Sequence, residues 1–184
     1  DRLPVIVRAN GLKGGKTRLD ASKSSQFLTS LMLIAPYTER GIEIEIVGRL
    51  KTPYIDITVS VMEAFGANVS HDNYQFFRIE GGQQYQPREY PIEPDASTAS
   101  YFFAAAAITG GRVRVTNLSM DSAQGDVHFV DVLEQMGCQV DRYDDGIELM
   151  GPDRLKGVDL DMKAISDTSL TLAAIAPFAN SKVV

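Results

Sequence analysis

Landmarks in this 184-residue chain return at one nearly constant offset. Gly66 comes back as Gly137, Ala35 as Ala106 and Gly81 as Gly151. The polar opening Ser24-Ser25-Gln26 of one apolar run corresponds to Asp95-Ala96-Ser97-Thr98-Ala99-Ser100 at the head of another. A third copy begins at Asp167-Thr168-Ser169-Leu170, again one such offset beyond Asp95. One matching pair arises by chance, but a series at a shared offset marks a structural repeat. Each copy must then be one supersecondary unit that buries its apolar face against neighbours.

The unit can be read physically. A small polar cluster caps a helix that is apolar almost all round and therefore buried. Strands that alternate Ile with Glu (42–47) or Val with Arg (112–115) have one wet face. A second helix follows, with Ile57, Val61, Met62 and Phe65 on one side in the first copy and Phe129, Val132, Leu133 and Met136 in the second. Gly66 and Gly137 mark left-handed ends of those helices. A hairpin closes the unit, signalled in the second copy by Asp144-Asp145-Gly146. The order is β-α-β-α-β-β, with sheet on one side and helices on the other, an α+β class. The first strand is predicted over Pro4-Val5-Ile6-Val7-Arg8. The Gln- and Pro-interrupted stretch from Gln84 to Pro94 predicts the crossing between units. Val183-Val184 stands where a further strand begins, and an apolar helix over Ser169 to Ala179 cannot bury its face alone. Together they predict part of a longer repeat protein.

Composition narrows the function classes. Hydrophobic residues at 44% and charged ones at 23% exclude disorder, collagen and coiled coil. The longest apolar stretch, Tyr101 to Ile108, is eight residues, less than half a bilayer span. No secretory pattern opens the chain, and one cysteine, Cys138, forms no internal disulfide; both fit the cytoplasm. With two histidines and that single cysteine, no metal site is predicted. A net charge of −6 argues against nucleic-acid binding. Residues 1–51, however, carry nine Lys/Arg against five Asp/Glu, while the rest carry nine against nineteen. Local positive charge of this kind suits a small anion.

Three segments carry candidate chemistry. At Lys23-Ser24-Ser25-Gln26 two hydroxyls, an amide and free backbone N–H groups meet the positive end of a helix dipole, an arrangement suited to phosphate or carboxylate. The plainer reading is an N-cap alone. In Lys51-Thr52-Pro53-Tyr54, Pro53 suits a first helical turn, and Lys51 and Tyr54 project from the loop before it. Asp167, like Asp95, reads first as a helix cap. Cys138 and His128 read as structural, and His71 as surface.

Taken in order, Ser-Ser-Gln-Phe-Leu-Thr (24–29), Pro-Tyr-Ile-Asp-Ile-Thr (53–58), Phe-Gly-Ala-Asn-Val (65–69), Asp-Ala-Ser-Thr-Ala-Ser-Tyr-Phe (95–102) and Asp-Met-Lys-Ala-Ile-Ser-Asp (161–167) resemble the central part of the 5-enolpyruvylshikimate-3-phosphate synthase family. Gln124-Gly125-Asp126 and Asp131-Val132-Leu133 also fit it. The resemblance implies the enolpyruvyl transferase fold, an inside-out α/β barrel of two lobes with three units each. Residues 1–88 correspond to the last unit of one lobe, 92–160 to the first unit of the other, and 161–184 to the start of the next. The implied reaction moves the enolpyruvyl group of phosphoenolpyruvate to the 5-hydroxyl of shikimate 3-phosphate and releases phosphate, without cofactor or metal, in a monomeric full-length enzyme. On that resemblance Ser24 and Ser25 hold shikimate 3-phosphate, Gln26 touches both ligands, Tyr54 contacts substrate, and Asp167 is the base at the 5-hydroxyl. Lys51 departs from the pattern, since many members carry serine there. The family's phosphoenolpyruvate-gripping cations lie outside this stretch, so these residues alone are expected to be inactive. Two alternatives stand beside this reading. One is a related transferase acting on a UDP-linked amino sugar, which works with a loop cysteine. The other is a non-catalytic repeat module that binds a partner.

Overall fold

Ile42, Ile44 and Ile46 alternate with Glu43 and Glu45, and this pattern makes an interior strand of the first unit's sheet. The structure, a computed structural model, describes residues 4–8 and 10–184. They form two units, Asp1–Glu89 and Tyr90–Val184, each with its own core.

The first unit runs β1 (Gly15–Asp20), α1 (Gln26–Ile34), β2 (Ile42–Val47), α2 (Pro53–Ala64), β3 (Val69–Asp72) and β4 (Phe76–Ile79). This is the β-α-β-α-β-β order. The sheet order is β1-β2-β4-β3. The β1–β2 pair is parallel, from Gly15 opposite Ile42 to Asp20 opposite Val47, and the other pairs are antiparallel. On the wet face Lys16 meets Glu43 at 2.7 Å and Arg18 meets Glu45 at 3.2 Å. On the dry face Ile44, Phe77 and Ile79 close over Leu28 and Met32 of α1 and Ile55 and Met62 of α2.

Two expectations for this unit change. Pro4–Arg8 lies in no strand, and Val5, Ile6 and Val7 are 67%, 80% and 81% exposed. Its β-branched residues have strand propensity, but a strand also needs a partner ladder. The first strand is instead β1, with no apolar run, held by its backbone register to β2 and its two cross-strand ion pairs. The buried stripe of α2 is Ile55, Thr58 and Met62, with Ile57 and Val61 only half-buried. Thr58 can occupy the stripe because its hydroxyl donates to the Tyr54 carbonyl at 2.9 Å and pairs with the Thr29 hydroxyl of α1 at 3.1 Å.

The second unit contains α3 (Ala96–Thr109), β5 (Arg112–Thr116), α4 (Phe129–Gln135), β6 (Gln139–Tyr143), β7 (Gly146–Met150) and α5 (Ser169–Ile175). Its sheet, ordered β5-β7-β6, is antiparallel throughout. Phe129, Val132, Leu133 and Met136 are all buried, as their spacing predicts. The two-residue Asp144-Asp145 loop joins β6 to β7. Gly66 and Gly137 adopt φ +86° and +102°. At both, the next N–H reaches back to the carbonyl five residues earlier, Ala67 to Met62 and Cys138 to Leu133, closing a Schellman motif.

Leu172 and Ile175 of α5 join the core around α3, and the Ser100 and Thr171 hydroxyls lie 3.0 Å apart. The apolar run predicted as one helix to Ala179 is α5 followed by a 3-10 turn, Ala176–Phe178, where Pro177 has no N–H to continue α5. Leu170 remains 81% exposed. At the end of the chain, Val184 donates to the Val158 carbonyl at 2.9 Å and accepts from the Leu160 N–H at 3.1 Å.

Candidate functional site

Parallel strands end on the same side of their sheet. β1 runs out through Ala21–Ser25 into α1, and β2 runs out through Gly48–Thr52 into α2. Two helix N-termini therefore stand at the carboxyl end of one parallel pair. Unpaired N–H groups and the positive dipole ends make such a place favourable for anions.

The residues at these two ends are the predicted ones. Ser24 is half-buried, and its Oγ accepts the Gln26 N–H at 3.1 Å. Ser24 thus closes a local turn one residue before the N-cap position, which is Ser25. Ser25, 8% exposed, makes no side-chain capping bond, and its carbonyl accepts the Thr29 N–H at 3.1 Å. Gln26 is exposed at the first residue of α1. Lys51 is exposed in the loop before α2. Tyr54 is not in that loop: it belongs to the first turn of α2 and is half-buried, because Thr52 and Pro53 already start the helix.

The two loops touch. The Ala21 N–H donates to the Val47 carbonyl at 3.1 Å, which extends the β1–β2 pairing by one bond. Asp20 accepts from the Ser22 N–H at 3.0 Å and the Ser22 hydroxyl at 2.5 Å. Those bonds hold the Asp20 carboxyl below its ordinary range, so it stays ionised near neutral pH. Gly48, at φ +81°, passes so close that an added Cβ would sit 2.9 Å from Asp20 Oδ1 and 3.3 Å from Ser22 Cβ. Sequence reasoning missed Asp20 and Gly48. The signals available were an Asp-x-Ser turn pattern and a glycine directly after a strand.

A second polar contact went unread. The Tyr74 hydroxyl donates to Asp56 of α2 at 2.6 Å, and this bond, then burial, then the Asp56 charge push the phenol up. Tyr74 also lines an open groove of about 510 Å³ with Arg18, Glu45, Gly48 and Thr52, and none of the candidate residues lines it.

In the second unit the two predicted caps part company. Asp95 caps α3, accepting from the Ser97 N–H at 2.9 Å, the Thr98 N–H at 3.3 Å and the Thr98 hydroxyl at 2.6 Å. Asp167 caps nothing. It is exposed within the 3-10 turn Lys163–Thr168, and the residue that precedes α5 is Thr168. The turn carries the chain one residue beyond Asp167 before α5 begins, so its carboxylate is not engaged by helix N–H groups.

Asp126, 4% exposed, accepts from the Ser97 hydroxyl at 2.7 Å. Gln124 clasps the start of α3, accepting from the Ala96 N–H and donating to the Pro94 carbonyl, both at 2.9 Å. Cys138 is buried, and burial pushes its thiol up to about 11, which leaves it protonated and unreactive near neutral pH. His128 meets Asp131 at 2.8 Å on the surface, and His71 stacks on Tyr74. Among the described residues, no helix is long and apolar enough to cross a membrane.

The structure thus gathers Ser24, Ser25, Gln26, Lys51 and Tyr54 at one end of the first unit's parallel pair, while Asp167 stands in the second unit. Comparison with known proteins finds one family along the whole chain. The model of the family described as EPSP synthase (3-phosphoshikimate 1-carboxyvinyltransferase) matches residues 1–184. The 3-phosphoshikimate 1-carboxyvinyltransferase of Trichormus variabilis is 49% identical over 183 residues, which cover 99% of this chain and 43% of that protein. The protein of the same name from Yersinia pestis is 49% identical over 181 residues, 97% of this chain and 42% of that protein. The chain therefore spans less than half the length of these curated relatives. Among solved structures, EPSP synthase from Acinetobacter baumannii superposes with a TM-score of 0.69 at 22% identity, covering 94% of this chain and 40% of that one. The enolpyruvyl transferase NikO from Streptomyces tendae gives 0.61 at 22% identity, over 80% and 35%.

Proposed function

We propose, for a chain that belongs to the EPSP synthase family over residues 1–184, that it is part of an enzyme transferring the enolpyruvyl group of phosphoenolpyruvate to the 5-hydroxyl of shikimate 3-phosphate with release of phosphate. The observation that carries this reading is the pair of helix N-termini at the end of β1–β2, one bearing Ser24, Ser25 and Gln26 and the other Tyr54. In it the serine hydroxyls and the α1 N–H groups bind the phosphate of shikimate 3-phosphate, and Gln26 and Tyr54 orient the ring. Lys51 adds a point charge, so it contributes attraction to the phosphate without fixing an angle. Asp167 takes the 5-hydroxyl proton as that oxygen bonds to the enolpyruvyl carbon. A carboxylate that is exposed and caps no helix is available for this.

In this reading the full-length enzyme is a cytoplasmic monomer working without cofactor. The cysteine-dependent UDP-amino-sugar reaction is disfavoured by the burial of Cys138. The test is calorimetry with shikimate 3-phosphate. The chain is expected to bind it weakly, and Ser24→Ala with Ser25→Ala to abolish binding, since each lost bond to a charged group costs about 1.5–3 kcal/mol. Equal affinity in wild type and double variant defeats the assignment of the serines.

A further inference from the structure

The candidate residues of the first unit sit on two loops and the helix starts they lead into, and a site built from both needs those loops at a fixed spacing. The contact between Asp20 and Gly48 is placed to do this. Asp20 is the last residue of β1 and Gly48 the first after β2. Asp20 Oδ1 is held by two bonds from Ser22, at 3.0 and 2.5 Å, so it cannot swing aside without breaking both. Gly48 lies against it with room only for hydrogen, since a Cβ there would come within 2.9 Å of that oxygen. Directly beside the contact, the Ala21 N–H bonds to the Val47 carbonyl at 3.1 Å. Two residues after Ser22, Ser24 accepts the Gln26 N–H at 3.1 Å.

We propose that Asp20 and Gly48 are positioning residues that lock the α1-leading loop to the α2-leading loop and so set the spacing between Ser24-Ser25-Gln26 and Tyr54. The inference rests on the functional reading above. Neither residue touches the substrate in it. Asp20 acts through Ser22, and Gly48 acts by having no side chain. An ionised carboxylate adds nothing favourable beside a phosphate, which makes its place here intelligible as a fastening.

The test reads loop order and ligand binding separately, by amide exchange and by titration of the 184-residue chain with shikimate 3-phosphate. Gly48→Ala combines a strained backbone with the clash, and is expected to speed exchange of the Ala21 and Gln26 amides about tenfold and to weaken binding about tenfold, with the Phe77 amide unchanged. Asp20→Ala is expected to act similarly. Asp20→Asn, which still accepts both Ser22 bonds, should restore both readouts. In the double variant Asp20→Ala with Gly48→Ala, the clash has lost its partner, so the two losses should fall short of additive. Unchanged Ala21 and Gln26 exchange in Gly48→Ala overturns the lock. Faster exchange with unchanged affinity, or full additivity in the double variant, overturns the positioning role. A wild-type chain whose amides are protected but which does not bind shikimate 3-phosphate overturns the functional reading and leaves the lock nothing to position.

Discussion

Asp95 and Asp167 open neighbouring copies of one sequence pattern, yet only Asp95 holds a helix end. The two residues should therefore answer substitution differently. Asp95→Ala is expected to cost about 0.5–2 kcal/mol in urea unfolding, as the loss of a cap does. The bonds Asp95 accepts from Thr98 lower its folded pKa below the ordinary value near 3.8. A lowered carboxylate contributes stability above the unfolded pKa and loses it as pH falls through the folded one. Asp95→Asn caps without titrating, so below about pH 4 it should lose less stability than wild type. Parallel pH profiles for the two proteins would remove the cap from acid unfolding. Asp167→Asn in the full-length enzyme should leave the melting temperature unchanged and lower kcat by about 10²–10⁴, the effect of losing a general base. A folded variant keeping more than about a tenth of wild-type kcat speaks against that role. From sequence, both aspartates sit ahead of an apolar run and look alike. The difference lies in a 3-10 turn one residue longer than the pattern needs, which hydrophobic spacing does not encode.

Glycines show how far elements can be read before a structure exists. The ends of α2 and α4 were legible because a left-handed cap demands a glycine, and Gly66 and Gly137 stand at equal offset. β1 was not legible, because Gly15-Lys16-Thr17-Arg18-Leu19-Asp20 has one large apolar residue and is held through backbone pairing with β2. Hydrophobic spacing misplaces the face of α2 because Thr58 hides its polarity in two hydrogen bonds. Of the candidate site, the segments were legible and the fastening between them was not, since Asp20 and Gly48 meet only across a sheet. Two glycines of the second unit separate backbone conformation from close approach. A Cβ at Gly137 meets only the Lys156 stem, no nearer than 3.7 Å, so Gly137→Ala should cost about 1–2 kcal/mol from its positive φ alone. A Cβ at Gly146 comes within 2.6 Å of the Val115 carbonyl in β5. Gly146→Ala should cost about 1–3 kcal/mol and open amide exchange along β5, which Gly137→Ala leaves intact. Equal protection of β5 in both variants would show that β7 yields without disturbing its neighbour.

At the scale of the molecule, the two cores share no residue: one is built from residues 28–79 and the other from residues 96–175. The 184 residues match less than half of relatives named for the complete transferase. If the proposed function holds, and the cations that grip phosphoenolpyruvate lie outside these residues as the family resemblance implies, a polypeptide of these residues alone is expected to release no detectable phosphate from phosphoenolpyruvate and shikimate 3-phosphate. Robust turnover from a sequence-verified sample would contradict this. The repeat itself has a consequence for inheritance. Ser24 accepts the N–H two positions ahead of it, and Asp95, one period further along the chain, does the same. A misaligned crossover joining residue 24 to residue 96 would excise one whole period, and Ser24 would then face the N–H of Ser97. The spliced chain would still present a capped helix start followed by an apolar helix. A crossover at that seam would therefore remove one period and leave a helix start of the same kind in its place.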